Sequence, residues 1–217
     1  MVSSGRCAER MAEWSENPNV CIVVGDETNL ETIMAMVSAA KETFGRLDCV
    51  CNMADFNDLD YPLLEVGDAQ WDEIIDTCLK APFLIYREAL PLLLEAGGRC
   101  IVNIDSFAAL QESHGPVYEV ALGGLEGITR SIASNYSKNH IRCNIIHLGN
   151  TMTDIMVTST STVRPAQGAL SEPVQAMPAN WMGQVEDIAD ACLFLCTDES
   201  KHINGAVISV SDGMSVC

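Results

Sequence analysis

The stretch that decides the fold runs from Arg99 to Gly149. It opens on the apolar run Cys100-Ile101-Val102-Asn103-Ile104, which ends in Asp105-Ser106. Twelve residues after Ser106 comes Tyr118, at the mouth of a segment that carries Leu122, Leu125, Ile128, Thr129 and Ile132 at helical spacing. A second apolar run, Ile141 to Leu148, ends in Gly149. Strand, helix and strand in this order predict a parallel βαβ unit. Ser106 and Tyr118 then stand over the carboxyl edge of the sheet, where open α/β sheets place their ligands.

Toward the N-terminus the same alternation continues. Residues 6–15 read as the tail of a short helix, and Val20 to Val24 as an apolar strand followed by Gly25 and Asp26. Thr28 and Glu31 have capping-box spacing. Ile33, Met34, Val37, Ala40 and Phe44 follow at helical spacing, and Gly45 ends the helix. Leu47 to Asn52 predicts the next buried strand. A helix is expected from Asp68 to Leu94, with Pro82 as a kink. Toward the C-terminus, residues 150–183 are rich in Thr, Ser, Pro and Met and read as a lid or binding loop. A helix from Val185 to Cys196 and a strand from Val207 to Val210 complete the pattern. The expectation is an α/β fold: an incomplete doubly wound, Rossmann-like parallel sheet of five strands with helices on both faces, in one domain over residues 1–217.

Composition narrows the partners. The 217 residues carry a net charge of −18, which disfavours nucleic acid and anionic membrane surfaces. No apolar run is long enough to span a bilayer, and Met1 to Cys7 lack the apolar centre of a secretory signal. The ten cysteines fall on predicted strands and helices, as small apolar residues would. Cys49 and Cys51 do not have zinc-ligand spacing, so no metal is expected, and free thiols fit a reducing, cytoplasmic location.

Asn103-Ile104-Asp105-Ser106, Tyr118, the strand from Ile141 to Gly149 with Thr153, and the closing run from Gly205 to Gly213 resemble the short-chain dehydrogenase/reductase family. The resemblance covers nearly the whole chain and implies the Rossmann-like fold. It also implies that Val20 to Val24 is the family's third strand. The first strand, its glycine-rich turn and helix, and the second strand with its ribose-reading residue are then missing. Several positions depart from the family pattern. Leu122 stands where the catalytic lysine is expected, and Cys78 where a helix asparagine completes a proton relay. Asp55 replaces a glycine, and Leu148 a proline.

What the resemblance leaves is Asp26, Asn52, Ser106, Tyr118, Asn144 and Thr153. Asp26, Asn52 and Thr153 are the candidate remnants of a cofactor site, while Asn52 and Asn144 also read as ties between strand ends. Without the lysine, Tyr118 is expected near the ordinary phenol value of about 10, which makes it a hydrogen-bond donor and acid rather than a base. With Ser106 it can polarise a carbonyl oxygen, and Asp105 is the candidate carboxylate base. Thr153, Trp181 and His147 are the candidate substrate contacts.

The main expectation is therefore an enzyme without a cofactor that performs dehydration, isomerisation or cyclisation on a small, largely apolar carbonyl or hydroxy compound. The first alternative is an NAD- or NADP-dependent oxidoreductase completed by another chain or shortened from a longer form. The second is a non-catalytic interaction subunit. The resemblance implies a homodimer or homotetramer through the helices at 68–94 and 118–137.

Overall fold

A computed structural model describes residues 1–55, 61–106, 115–152 and 182–213. Six parallel strands are described in two sheets. The strands β1 (Val2–Gly5) and β2 (Cys21–Val24) pair with each other. The second sheet has the order β3 (Cys49–Asn52), β4 (Cys100–Ser106), β5 (Arg142–Leu148) and β6 (Val207–Val210). The helices are α1 (Ala8–Met11), α2 (Leu30–Phe44), α3 (Asp68–Ile75), α4 (Ala81–Glu95), α5 (Pro116–Asn135) and α6 (Val185–Cys196).

Alternation along β4 sorts the core into two layers. Ile101 points toward α2, α4 and α5, where it packs with Ile33, Tyr86, Leu93 and Leu125. Cys100 and Val102 point the other way, toward Ile188 and Leu195 of α6. These helices cover both faces, as a buried parallel sheet requires. The end of β5 packs tightly: a Cβ on Gly149 would stand 2.7 Å from Ser211 Cα. No helix among the described residues is long and apolar enough to cross a membrane.

Four expectations change. The first concerns the strand count, because β1 adds a sixth strand. Its sequence, Val2-Ser3-Ser4-Gly5, holds a single large apolar residue and gave no strand pattern. In the usual doubly wound order 3-2-1-4-5-6, the neighbour of the third strand is the second. So β1 takes the second strand's place beside β2, and among the described residues the first strand is unmatched. Its place lies between β1 and β3, where the sheet divides.

The second change is at the start of α2. Asn29 is the N-cap and accepts from the backbone N–H of Glu31 at 2.8 Å. Thr28 instead serves Asp26, whose Oδ1 accepts from the Thr28 N–H at 2.9 Å and from its hydroxyl at 2.7 Å. The third is the long helix, which divides at Asp76–Lys80 into one π-helical stretch just before Pro82. A proline donates no N–H, and widening the preceding turn accommodates its ring. The fourth concerns the cysteines, five of which converge between α6 and the sheet.

Candidate functional site

The carboxyl ends of β3, β4 and β5 bring Asn52, Asp105, Ser106 and His147 to one edge, and α5 brings Tyr118 and Glu126. Pro116 at the start of α5 presets the first helical turn, so Tyr118 sits where that helix meets the edge. Its hydroxyl donates to Asp55 Oδ1 at 2.9 Å, and the Cys78 thiol lies 3.9 Å from the same oxygen. Burial first, and the Asp55 carboxylate second, hold the Tyr118 phenol well above its ordinary value. Tyr118 is therefore protonated at any physiological pH, more firmly than the loss of a lysine alone predicts.

Leu122 lies one turn beyond Tyr118 on α5. It is 2% exposed and packs with Ile74, Cys78, Val117 and Ala121. An apolar cluster occupies the place that the family pattern gives to an ammonium group.

Asp105 is buried. Its Oδ1 accepts from the Ser106 N–H at 2.6 Å, while its Oδ2 has no hydrogen-bond partner among the described residues. Burial raises its carboxyl to about 7; the Asp55 and Glu126 carboxylates push the same way, and the Ser106 N–H opposes them. Alternation along β4 turns Asp105 to the α5 side, together with Asn103.

His147, expected among the substrate contacts, is instead completely buried. It is the register partner of Asp105 on β5. Its Nε2 lies 3.6 Å from Glu126 Oε1 and 3.9 Å from Asp105 Oδ2, too far for hydrogen bonds. Burial holds its imidazole below the ordinary value, so it is neutral near pH 7. Its place is in the framework beneath the edge.

Asn52 is buried at the end of β3 and hydrogen-bonds Tyr86, whose hydroxyl also donates to Asn103 Oδ1. Asn103 Nδ2 donates in turn to Thr129 at 2.9 Å. Asn144 joins β5 to the approach of β6: its Nδ2 donates to Ile203 O, and its Oδ1 accepts from the Ala206 N–H, each at 3.0 Å. Asn52 thus links the end of β3 to α4, and Asn144 links β5 to the segment before β6. Thr153 and Trp181 lie outside the described residues. Nearby, Thr151 bridges to Gly183, beside a hollow of about 320 Å³ lined by Thr151, Asp187, Val210 and Ser211.

At the far end of the edge stands a residue that the sequence reading passed over. Arg6 directly follows β1, is exposed, and lies within electrostatic reach of Asp26. The two hydrogen bonds from Thr28 are the larger reason that the Asp26 carboxyl sits below its usual value. Arg6 was legible only once Val2–Gly5 was known to be a strand, since its meaning lies in its place at a strand's carboxyl end.

A parallel sheet between helical layers, with a tyrosine and a serine at its carboxyl edge, defines a Rossmann-like α/β enzyme. A family model described as Enoyl-(Acyl carrier protein) reductase matches residues 2–215. The chain is 34% identical over 210 residues to the short chain dehydrogenase adrF of Penicillium roqueforti, covering 93% of this chain and 82% of the relative. It is 29% identical over 210 residues to 3beta-hydroxysteroid dehydrogenase 2 of Eggerthella lenta, covering 95% of this chain and 79% of that one. The crystal structure of levodione reductase superposes with a TM-score of 0.87 at 26% identity, covering 100% of this chain and 88% of the reductase. The chain belongs to the short-chain dehydrogenase/reductase family.

These likenesses correct the main functional expectation. The relatives carry dehydrogenase and reductase names, and the similarity runs through nearly the whole chain. Cofactor-free dehydration, isomerisation or cyclisation gives way to redox chemistry, and the absence of a cofactor gives way to NAD or NADP. The retained framework outweighs the departures at Leu122 and the first turn.

Proposed function

We propose that this chain is an oxidoreductase that uses NADP(H), in preference to NAD(H), on a carbonyl or secondary hydroxyl of a small, largely apolar substrate. The observation that supports the choice of nucleotide is Arg6 at the carboxyl end of β1. In doubly wound sheets an arginine near this place accommodates the ribose 2′-phosphate of NADP. Asp26 stands at the neighbouring strand end, with its carboxylate engaged by its own turn.

The fit of a dinucleotide to the described residues is divided. The adenosine end has Arg6 and Asp26, and the carbonyl end has Ser106 and Tyr118. The pyrophosphate usually lies over the turn after the first strand, and among the described residues the place between β1 and β3 holds no such strand. The Asp55 carboxylate adds negative charge to the same edge. The described residues therefore do not form a pyrophosphate cradle. The proposed reading requires a strand and turn in that place, from a second chain or a longer form of this one.

The chain's own residues do the following. Tyr118 keeps its proton and donates it as a hydrogen bond toward a substrate oxygen, which takes the place of Asp55 as acceptor. Ser106 supplies a second hydroxyl at the same edge. Two such donors stabilise the charge that develops on a carbonyl oxygen during reduction. Tyr118 acts as a hydrogen-bond donor rather than as a proton-transferring acid, because burial and the Asp55 carboxylate disfavour its phenolate.

Calorimetric titration of the purified chain with adenosine 2′-monophosphate, adenosine 5′-monophosphate, NADPH and NADH tests the reading. A charge-assisted contact to the 2′-phosphate is expected to favour the 2′-phosphorylated member of each pair by about tenfold. Arg6→Ala should abolish that preference. Equal affinities in the unsubstituted chain would exclude Arg6 as the reader of the 2′ position.

A further inference from the structure

The fold assembles five thiols that lie far apart in sequence. Cys49 and Cys51 are two residues apart on β3 and so share a face. Cys100 is the register partner of Cys49 on β4. Cys192 and Cys196 are four residues apart on α6, one turn above the other, and face the same strands. The Cys100 and Cys49 sulfurs are 3.0 Å apart, and Cys51 Sγ lies 3.5 Å from Cys192 Sγ and 3.7 Å from Cys196 Sγ. They form two triads that share Cys196: Cys49 with Cys100, and Cys51 with Cys192. Within each triad every pair of sulfurs lies within 4.8 Å.

We propose that these triads form a thiolate site for a soft cation, with one Cu(I) in each three-sulfur pocket and Cys196 bridging the two. Thiolate sulfurs select soft ions such as Cu(I) and Zn(II). With metal–sulfur distances of about 2.3 Å, three sulfurs around one ion stand about 4 Å apart; the Cys51 contacts of 3.5 and 3.7 Å lie within about half an ångström of this, and the Cys49–Cys100 pair at 3.0 Å opens by about 1 Å to admit an ion. Zinc takes a closed tetrahedron of four ligands. Among the described residues each pocket offers three sulfurs, which is the number a trigonal Cu(I) centre takes.

Arg142 is the register partner of Cys100 on β5. Its guanidinium is buried and donates to Leu195 O at 2.8 Å and Thr197 O at 3.2 Å, on either side of Cys196 in the chain. Its Nη1 has no hydrogen-bond partner among the described residues, so its positive charge is only partly met. Cys51 is the exposed member and gives an ion a way in, while Cys100 closes the floor of the other pocket.

The test is an anaerobic titration of the reduced full chain with Cu(I) in the presence of a competing Cu(I) chelator, read by retained copper and by thiolate-to-copper absorption in the ultraviolet. Retention of one Cu(I) per triad, two in all, is expected. Cys51→Ser, at the exposed position, should lose one. Cys196→Ser should lose both, with circular dichroism reporting whether it folds. Cys21→Ser, outside the cluster, should lose none. A parallel Zn(II) titration against a zinc chelator should retain no metal. No copper uptake by the reduced chain would overturn the proposal. So would full uptake by both Cys51→Ser and Cys196→Ser, tight zinc binding in place of copper, or closure of Cys49 and Cys100 into a disulfide without copper uptake.

Discussion

Asp105→Asn isolates the cost of keeping a carboxylate at the end of β4. An unfolded chain ionises this group near 4, whereas burial in the native chain raises it to about 7. Below pH 4 both states hold the proton, and the site adds no pH-dependent cost. Between pH 4 and 7 the unfolded state has lost the proton and the native state keeps it, so stability falls as pH rises. Above pH 7 the cost is complete, at roughly 4 kcal/mol for a separation of about three pH units. Asparagine preserves the acceptor for the Ser106 N–H and removes the titration. Urea unfolding of both proteins at pH 5, 6, 7 and 8 reads the difference directly. From pH 5 to pH 8 the variant should gain roughly 2 to 3 kcal/mol relative to the unsubstituted protein, because other titrating groups subtract out. A constant difference across that range would refute the assignment of Asp105 as a buried carboxyl held protonated. A relative loss by the variant would refute even its direction.

Tyr118→Phe should reduce carbonyl turnover by about 100-fold or more, with little change in nucleotide affinity, as expected for a donor acting on the reacting oxygen; unchanged turnover would remove Tyr118 from the site. Leu122→Ala should destabilise the chain by roughly 2 to 4 kcal/mol in chemical denaturation, since it opens a cavity beside Ile74 and Val117; a loss below about 0.5 kcal/mol would contradict its buried packing. We further propose that the chain forms a homodimer or homotetramer through α3, α4 and α5, which leave Trp71, Phe83 and Val120 between 44% and 50% exposed. Light scattering after size exclusion should give a multiple of the 23.5 kDa chain mass, and Phe83→Glu should shift it toward the monomer.

Much of the architecture was legible because buried parallel strands are written as continuous apolar runs. Cys100 to Ile104 and Ile141 to Leu148 have no other ready reading, and α6 and β6 fell where periodicity placed them. β1 was hidden because Val2-Ser3-Ser4-Gly5 lies in a two-stranded sheet and is only half-buried, so burial never imposed an apolar run. Arg6 was hidden with it. The cap of α2 was misplaced by one residue because Thr28 and Asn29 are both good caps, and Asp26 had already engaged Thr28. His147 showed only as a polar residue near a strand end. Its complete burial follows from register with Asp105 and from Glu126 on α5, both tertiary facts. The five thiols had a local signal that was read as core alone: two residues apart on a strand, four apart on a helix. Their convergence depends on α6 crossing β3 and β4, which no local pattern states.

The most direct test of the functional account is the nucleotide titration of the chain with NADPH and NADH, repeated after Arg6→Ala. The account predicts tighter binding of NADPH in the unsubstituted chain and equal binding of the two after the substitution. Equal binding of the two before the substitution, or equal binding of adenosine 2′-monophosphate and adenosine 5′-monophosphate, would contradict it.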